Sequence, residues 1–167
     1  MNTQKHLRKI MLLAILGATS GLTFAAGTAS ATIQVSATIG DSCSISAQPL
    51  SFGTYDQLQS APTDASTTIS VKCSNNVPAS ISLDNGNGGA SSTRAMKYGV
   101  SDLNYALFSD AARTQNWGIG SEQLIVTGTG LSALDEKILT VYGRVPANQN
   151  SIGAGVYLDT ITATISY

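Results

Sequence analysis

The side chains that ordinarily carry chemistry are few in this chain and poorly placed for it. The one histidine, His6, lies in the N-terminal stretch MNTQKHLRK, which is basic and free of acids. The rest of the chain has no imidazole to serve as general base or metal ligand, so Ser-His-Asp and Cys-His nucleophile systems are excluded. Asp135 and Glu136 are adjacent, and on a strand they point to opposite faces. The other acids are scattered, and spacing alone leaves a glycosidase-type carboxylate pair open among them. Asp56, Asp84, Asp102 and Asp110 fall in turn-like contexts without the ordered oxygen spacing of a calcium loop, and are expected to form turns. Gly118 to Gln123, GIGSEQ, is a two-glycine turn and not a nucleotide fingerprint. Trp117, the only tryptophan, suits either a sugar-stacking platform or the core or rim of a sandwich, and the second is the expectation. No catalytic residue, cofactor, metal site or small-molecule substrate is expected, and an enzyme is the least favoured class.

The elements that remain are those of an exported β-protein. Lys5, Arg8 and Lys9 precede a mostly apolar run, Ile10 to Phe24, interrupted by Gly17, Thr19, Ser20 and Gly21. That run is too short and too polar for a membrane span, which takes about 20 apolar residues. Small residues follow, with Ala29 and Ala31 at the minus-three and minus-one positions of a cleavage site. Residues 1–31 read as a secretory signal peptide cleaved after Ala31, with cleavage after Ala25 or Ala26 the alternative. The remainder carries Lys72, Arg94, Lys97, Arg113, Lys137 and Arg144 against ten acids, a net charge of −4. A nucleic-acid binder is normally basic, so that class is disfavoured. Cys43 and Cys73 have no metal-ligand spacing, and in an oxidising compartment an even pair reads as one disulfide, with two buried thiols as the alternative.

Strand signals recur along residues 32–167, and no helix-period segment does. Short runs rich in Ile, Val, Thr and Tyr span 43–46, 67–73, 80–84, 93–98, 103–109, 123–127, 137–145 and 156–167. Asp110 to Arg113 is a turn at most. PLSFGTYD, SNNVPAS, DNGNGGASS and VPANQNSIGAG punctuate the runs. Strands at this spacing predict an antiparallel β-sandwich of one domain.

Two stretches raise a packing question. In TIQVSATIG, Ile33, Val35, Ala37 and Ile39 alternate with Gln34, Ser36 and Thr38, which predicts a strand with one apolar face. In VYLDTITATISY, Tyr157, Ile161, Ala163, Ile165 and Tyr167 share a face, interrupted by Asp159, which is expected at the rim of the sheet. The closing strand is either an edge in need of a neighbour or a central strand that ends the domain.

Six pieces occur in order: VSATIGDSCSISAQPLSFGTYD, ISVKC, RAMKYG, LNYALFSDAARTQNWG, VYGRVPANQ and GVYLDTITATISY. With them the chain resembles the spore coat protein U domain family, which includes the pilins of archaic chaperone–usher pili. The resemblance implies an all-β fold, an incomplete immunoglobulin-like antiparallel sandwich completed by a donor strand from a neighbouring subunit. It implies a donor extension over residues 32–41, with Ile33, Val35, Ala37 and Ile39 inserted, and a pilin domain over 42–167. The acceptor groove, which also faces the chaperone, would be bordered by Tyr157, Ile161, Ala163, Ile165 and Tyr167. Cys43 and Cys73 match the family disulfide. The implied partners are identical or related pilin subunits in a head-to-tail polymer, a periplasmic chaperone and an outer-membrane usher. The implied role is a structural subunit of a surface pilus, exported through the periplasm, that supports adhesion and biofilm formation. The single pilin domain fits a shaft or adaptor subunit better than a two-domain tip adhesin. The alternative is a secreted spore-coat or cell-surface structural protein with its own N-terminal strand inserted. Two departures stand out: Ala37 is a minimal knob, and Asp159 puts a charge beside an apolar run.

On this reading β-strand addition supplies the physics, main-chain bonds giving affinity and alternate side chains giving register. Burial of Ile33, Val35 and Ile39 contributes about 1.5–3 kcal/mol each, before ordering entropy offsets part of it. A heterologous head-to-tail contact of this kind propagates as an open fibre.

Overall fold

The computed structural model describes residues 26–167. The chain divides into two units, residues 1–37 and 38–167. Most of the expected signal peptide, and His6 with it, lies outside the described residues.

Residues 26–42 form no secondary structure. The strand expected from TIQVSATIG is therefore not a strand here, although its alternation is intact. Its large apolar side chains are bare: Ile33 is 87%, Val35 88% and Ile39 94% exposed. An extended segment becomes a strand only when a neighbour takes its main-chain N–H and C=O groups.

The second unit is an immunoglobulin-like sandwich of two antiparallel sheets. Its strands are β1 (Cys43–Ala47), β2 (Thr63–Cys73), β3 (Pro78–Leu83), β4 (Arg94–Tyr98), β5 (Ser101–Phe108), β6 (Leu124–Thr127), β7 (Lys137–Val145) and β8 (Ala163–Ser166). One sheet has the order β1-β2-β7-β5-β4 and the other β6-β3-β8. Single 3-10 turns at Gly120–Glu122 and Ala133–Asp135 are the only helical pieces among the described residues.

The period-two alternation foreseen in sequence is what builds the core. Ile69 and Val71 of β2, Val141 and Val145 of β7, and Leu103, Tyr105 and Leu107 of β5 point inward from the first sheet. They meet Ala79, Ile81 and Leu83 of β3. The intervening Ser66, Thr68, Ser70 and Thr140 face outward, which suits a sheet packed on one side only. Trp117 closes the core with 0% exposure, and its indole N–H donates to the Ile81 carbonyl at 2.9 Å. A buried indole cannot serve as a sugar platform.

Of the four acids expected in turns, Asp56, Asp84 and Asp110 form them and Asp102 does not. Asp56 accepts from the Leu58 N–H, Asp84 from the Gly86 N–H, and Asp110 from the N–H groups of Thr114 and Gln115. The last set pulls the Asp110 carboxyl below its usual range, the Gln115 N–H acting most strongly. Asp102 instead lies in β5 and pairs with Lys97 across β4 at 2.7 Å. Asp135 caps the turn before β7 by accepting from the Ser132 hydroxyl and N–H.

Candidate functional site: a seam between two sheet edges

β1 ends one sheet and β8 ends the other, and the two edges approach one another. Cys43 and Cys73 lie directly opposite in the β1–β2 ladder with Cα atoms 4.1 Å apart, and a disulfide joins them. The bond ties β1, otherwise held on one side only, to the interior strand β2.

The ladder pattern decides which groups β1 and β8 leave free. The Ser74 N–H donates to the Ser42 carbonyl and the Gln48 N–H to the Thr68 carbonyl, so even-numbered residues of β1 bond to β2. The Asp84 N–H donates to the Thr162 carbonyl, so Thr164 and Ser166 likewise bond to β3. In an antiparallel pair the intervening residues turn their N–H and C=O the other way. Ile45 and Ala47 on β1, and Ile161, Ala163 and Ile165 on the C-terminal segment, therefore direct theirs toward the seam.

Between the edges runs a groove of about 360 Å³. Ala47, Leu50 and Phe52 line it on one side, and Tyr157, Asp159, Ile161 and Ala163 on the other. Its floor is core: Ile69, Leu83, Tyr105, Leu107 and Val141. A second hollow of about 530 Å³, between residues 50–57 and 152–158, shares Leu50, Phe52, Met96, Tyr157 and Leu158 with the first. An apolar trough of strand width along two unpaired edges is suited to taking an extended peptide as an added strand.

Of the residues expected to border a groove, the structure brings Tyr157, Ile161 and Ala163 together on it. Ile165 packs against the core one step further on, and Tyr167 is 60% exposed. Sequence reasoning missed the opposite wall. Leu50 and Phe52 lie in PLSFGTYD, which reads as punctuation, yet their alternate placement is a strand-like signal. Gly143 of β7 is needed beneath them, because a Cβ there would come within 2.7 Å of the Phe52 ring and 2.8 Å of Leu50.

The C-terminal segment is regular only at its end. A strand was expected from 156 onward, but the ladder covers Ala163–Ser166. Before it, Leu158 exchanges two main-chain bonds with Lys97 of β4, and carboxylates take up other N–H groups of the segment. The Thr162 N–H donates to the Asp84 side chain at 3.0 Å. Asp159, expected at the rim of the sheet, lies before β8, partly exposed, and accepts from the Tyr105 hydroxyl at 2.6 Å, the Asn87 N–H at 2.9 Å, the Asn87 amide at 2.8 Å and the Thr160 N–H at 2.8 Å. Burial, then the Asp159 carboxylate, push the Tyr105 phenol well above its ordinary range. Gly86, at φ +53°, makes room for this, since a Cβ there would collide with the Asp159 carboxylate.

Beneath this loop Arg94 is 0% exposed, with carbonyls in place of a counter-ion. Its guanidinium donates to the carbonyls of Asp84 at 2.8 Å, Ser91 at 2.8 Å, Leu83 at 3.2 Å and Trp117 at 2.8 Å. Burial lowers its pKa, and the field of Tyr105, Asp84, Glu122 and Asp159 works in the opposite direction. Arg94 thus sets the loops under the seam and is not offered to a ligand. Among the described residues no group of His, Cys, Asp and Glu is arranged to hold a metal ion.

An immunoglobulin-like sandwich with two unpaired edges along one apolar groove defines the class. Residues 29–164 match the Spore Coat Protein U domain, and the chain belongs to that family. No curated protein matches it. Among solved structures it is similar to a chain in the crystal structure of the CsuC–CsuE chaperone–tip adhesion subunit pre-assembly complex from archaic chaperone–usher Csu pili of Acinetobacter baumannii. The two share 26% identity at a TM-score of 0.55, over 78% of this chain and 40% of that one. The present chain therefore spans less than half the length of the one it matches.

Proposed function

We propose that this protein is a structural subunit of a surface pilus assembled by the chaperone–usher pathway, in which the groove of one copy takes the N-terminal segment of the next. The observation that carries the reading is the pairing of opposites within one chain. The same chain carries an apolar groove with free main-chain groups and a segment whose apolar face, Ile33, Val35, Ala37 and Ile39, is bare. The likeness to a subunit from a chaperone–usher complex supports it. On this reading a periplasmic chaperone covers the groove until an outer-membrane usher exchanges it for the next donor. Residues 1–31 direct export, and the polymer at the cell surface serves adhesion and biofilm formation.

Val35→Asp tests the donor role. It places a charge mid-strand where the groove offers no counter-ion. The full chain carrying it, produced with its chaperone and usher, should fold with its disulfide intact and form no fibres in electron micrographs of the cells. Normal fibres would overturn the donor assignment. Lost fibres together with a collapsed, readily melted monomer would instead favour a strand inserted in its own domain, since a buried uncompensated charge costs about 3–5 kcal/mol.

A further inference from the structure

The two departures noted in the sequence, the minimal knob Ala37 and the charge at Asp159, answer one another. Among the described residues, Asp159 is the only charged one lining the groove. Its Oδ1 already accepts three donors, the Asn87 N–H, the Asn87 amide and the Thr160 N–H, while Oδ2 accepts one, from Tyr105. These four donors match the roughly four acceptor sites of a carboxylate, yet three of them crowd Oδ1 and the residue stays partly exposed, so water still reaches it. A bulky apolar side chain laid over Asp159 would strip the remaining water from the carboxylate and return no hydrogen bond, whereas a methyl group leaves room.

The edges decide which residues of an incoming antiparallel strand face the groove. Ile161, Ala163 and Ile165 present their main-chain groups and their inward side chains together, so an antiparallel strand must set its own inward residues opposite them. That parity allows three registers in which Asp159 faces a donor knob other than Ile33. One lays Val35 over Asp159, one lays Ile39 over it, and one lays Ala37 over it. The third also sets Ile33 opposite the small Ala163.

Resting on the pilus reading above, we propose that Asp159 sets the register of donor-strand exchange by admitting only a small side chain. The N-terminal segment of a second copy lies antiparallel to residues 157–163, with Ala37 opposite Asp159, Val35 opposite Ile161, Ile33 opposite Ala163 and Ile39 opposite Tyr157. Asp159 is a specificity residue of the groove, and its partner is a strand with alanine or glycine at one fixed position in an otherwise bulky apolar row.

Cysteine cross-linking between two full-length copies tests the geometry without altering Asp159. One copy carries Val35→Cys and the other carries Ile161→Cys or Ala163→Cys. Hydrogen-bonded antiparallel pairs have Cα atoms about 5.5 Å apart, within disulfide reach. The Val35→Cys copy should link to Ile161→Cys at least about tenfold more than to Ala163→Cys, which lies a full step along the strand. A preference for Ala163→Cys would overturn the register and leave donor exchange standing. Multimers that form with neither link would also overturn the register, since Val35 over Asp159 lies out of reach of both cysteines.

A double-mutant cycle tests the selection. Ala37→Leu should cut the multimer fraction about tenfold when Asp159 is present and about twofold or less in an Asp159→Ala background. Equal losses in both backgrounds would overturn the role of Asp159. The cross-links decide the register whether or not the Asp159→Ala chain folds.

Discussion

The C-terminal end of strand β3 and the seam beyond β8 show two ways of treating polar groups. At the C-terminal end of β3 the buried main-chain carbonyls are satisfied within the chain. Arg94 spreads its guanidinium over the carbonyls of Leu83, Asp84, Ser91 and Trp117, and the Trp117 indole takes the Ile81 carbonyl. Beside β3, across β8, the seam does the reverse. Ile161, Ala163 and Ile165 turn their main-chain groups toward a groove. A closed region of this kind fixes stability, and an open one creates a requirement for a partner. The fold keeps the two in separate residues, so a substitution can abolish one property and spare the other.

The sharpest way to break that separation is to strike the closed region. Trp117→Ala leaves a cavity at a fully buried site and strands the Ile81 carbonyl, at a cost of about 3–5 kcal/mol. Urea denaturation of the secreted chain should show a matching fall in midpoint. Assembly should fail only because folded subunits are scarce, and adding osmolyte should recover both together. Val35→Asp should behave in the opposite way, with melting unchanged and fibres lost. If both variants lose stability equally, the two regions are not independent.

The disulfide is where the regions are coupled, and cutting it has the next largest effect. Cys43 and Cys73 are separated by 30 residues, and a cross-link of that span stabilises by about 3–4 kcal/mol in the chain-entropy model. Cys43→Ser should lower the unfolding free energy by roughly that amount. It should also free β1, one wall of the seam, to fray. Hydrogen exchange at Ser44 and Ser46, whose N–H groups bond to β2, should then accelerate more than exchange in β7. Uniform acceleration would mean that β1 needs no covalent tie.

Much of the sandwich was legible because its strands obey a period of two. The run Lys137–Val145 was read at its observed limits, and those of β1, β3, β4, β5 and β6 within a residue or two. β2 begins earlier than its Ile and Val residues indicate, at Thr63, since Asp64 is held across the ladder by Arg144, a pairing no local pattern reveals. The seam was half legible. Tyr157, Ile161 and Ala163 stand out by alternation, but the wall at Leu50 and Phe52 is not a strand and carries only two apolar beats. The partners of Asp159 were not legible, because a lone carboxylate in an apolar run signals only a rim. Its four donors come from residues far apart in sequence, Asn87 and Tyr105, as well as its neighbour Thr160. Arg94 was invisible for the same reason, since a buried cation solvated by carbonyls depends on three loops converging.

The smallest expected effect lies on the outer face of β2 and β7, away from both the core and the groove lining. Asp64 accepts from Arg144 Nε at 2.7 Å and Arg144 Nη2 at 2.8 Å, and Arg113 stands 3.4 Å from the same carboxylate. The bidentate bond from Arg144 is the main reason the Asp64 carboxyl is held below its usual range. A carboxyl whose folded pKa is depressed contributes stability that is complete above its unfolded value, about 3.9. That contribution declines as pH falls below the unfolded value and is gone once pH passes below the folded one. The side chains of Asp64 and Arg144 remain 33% and 36% exposed, so solvent screens the pair and its worth is at most about 1 kcal/mol. Asp64→Asn should therefore lower the melting temperature by a few degrees at neutral pH. The gap from the unsubstituted chain should narrow below about pH 4 and shrink in high salt. Fibre formation should be unaffected, because the substitution touches neither sheet edge of the seam. A gap that persists unchanged to low pH would show that Asp64 acts through packing and not through its charge.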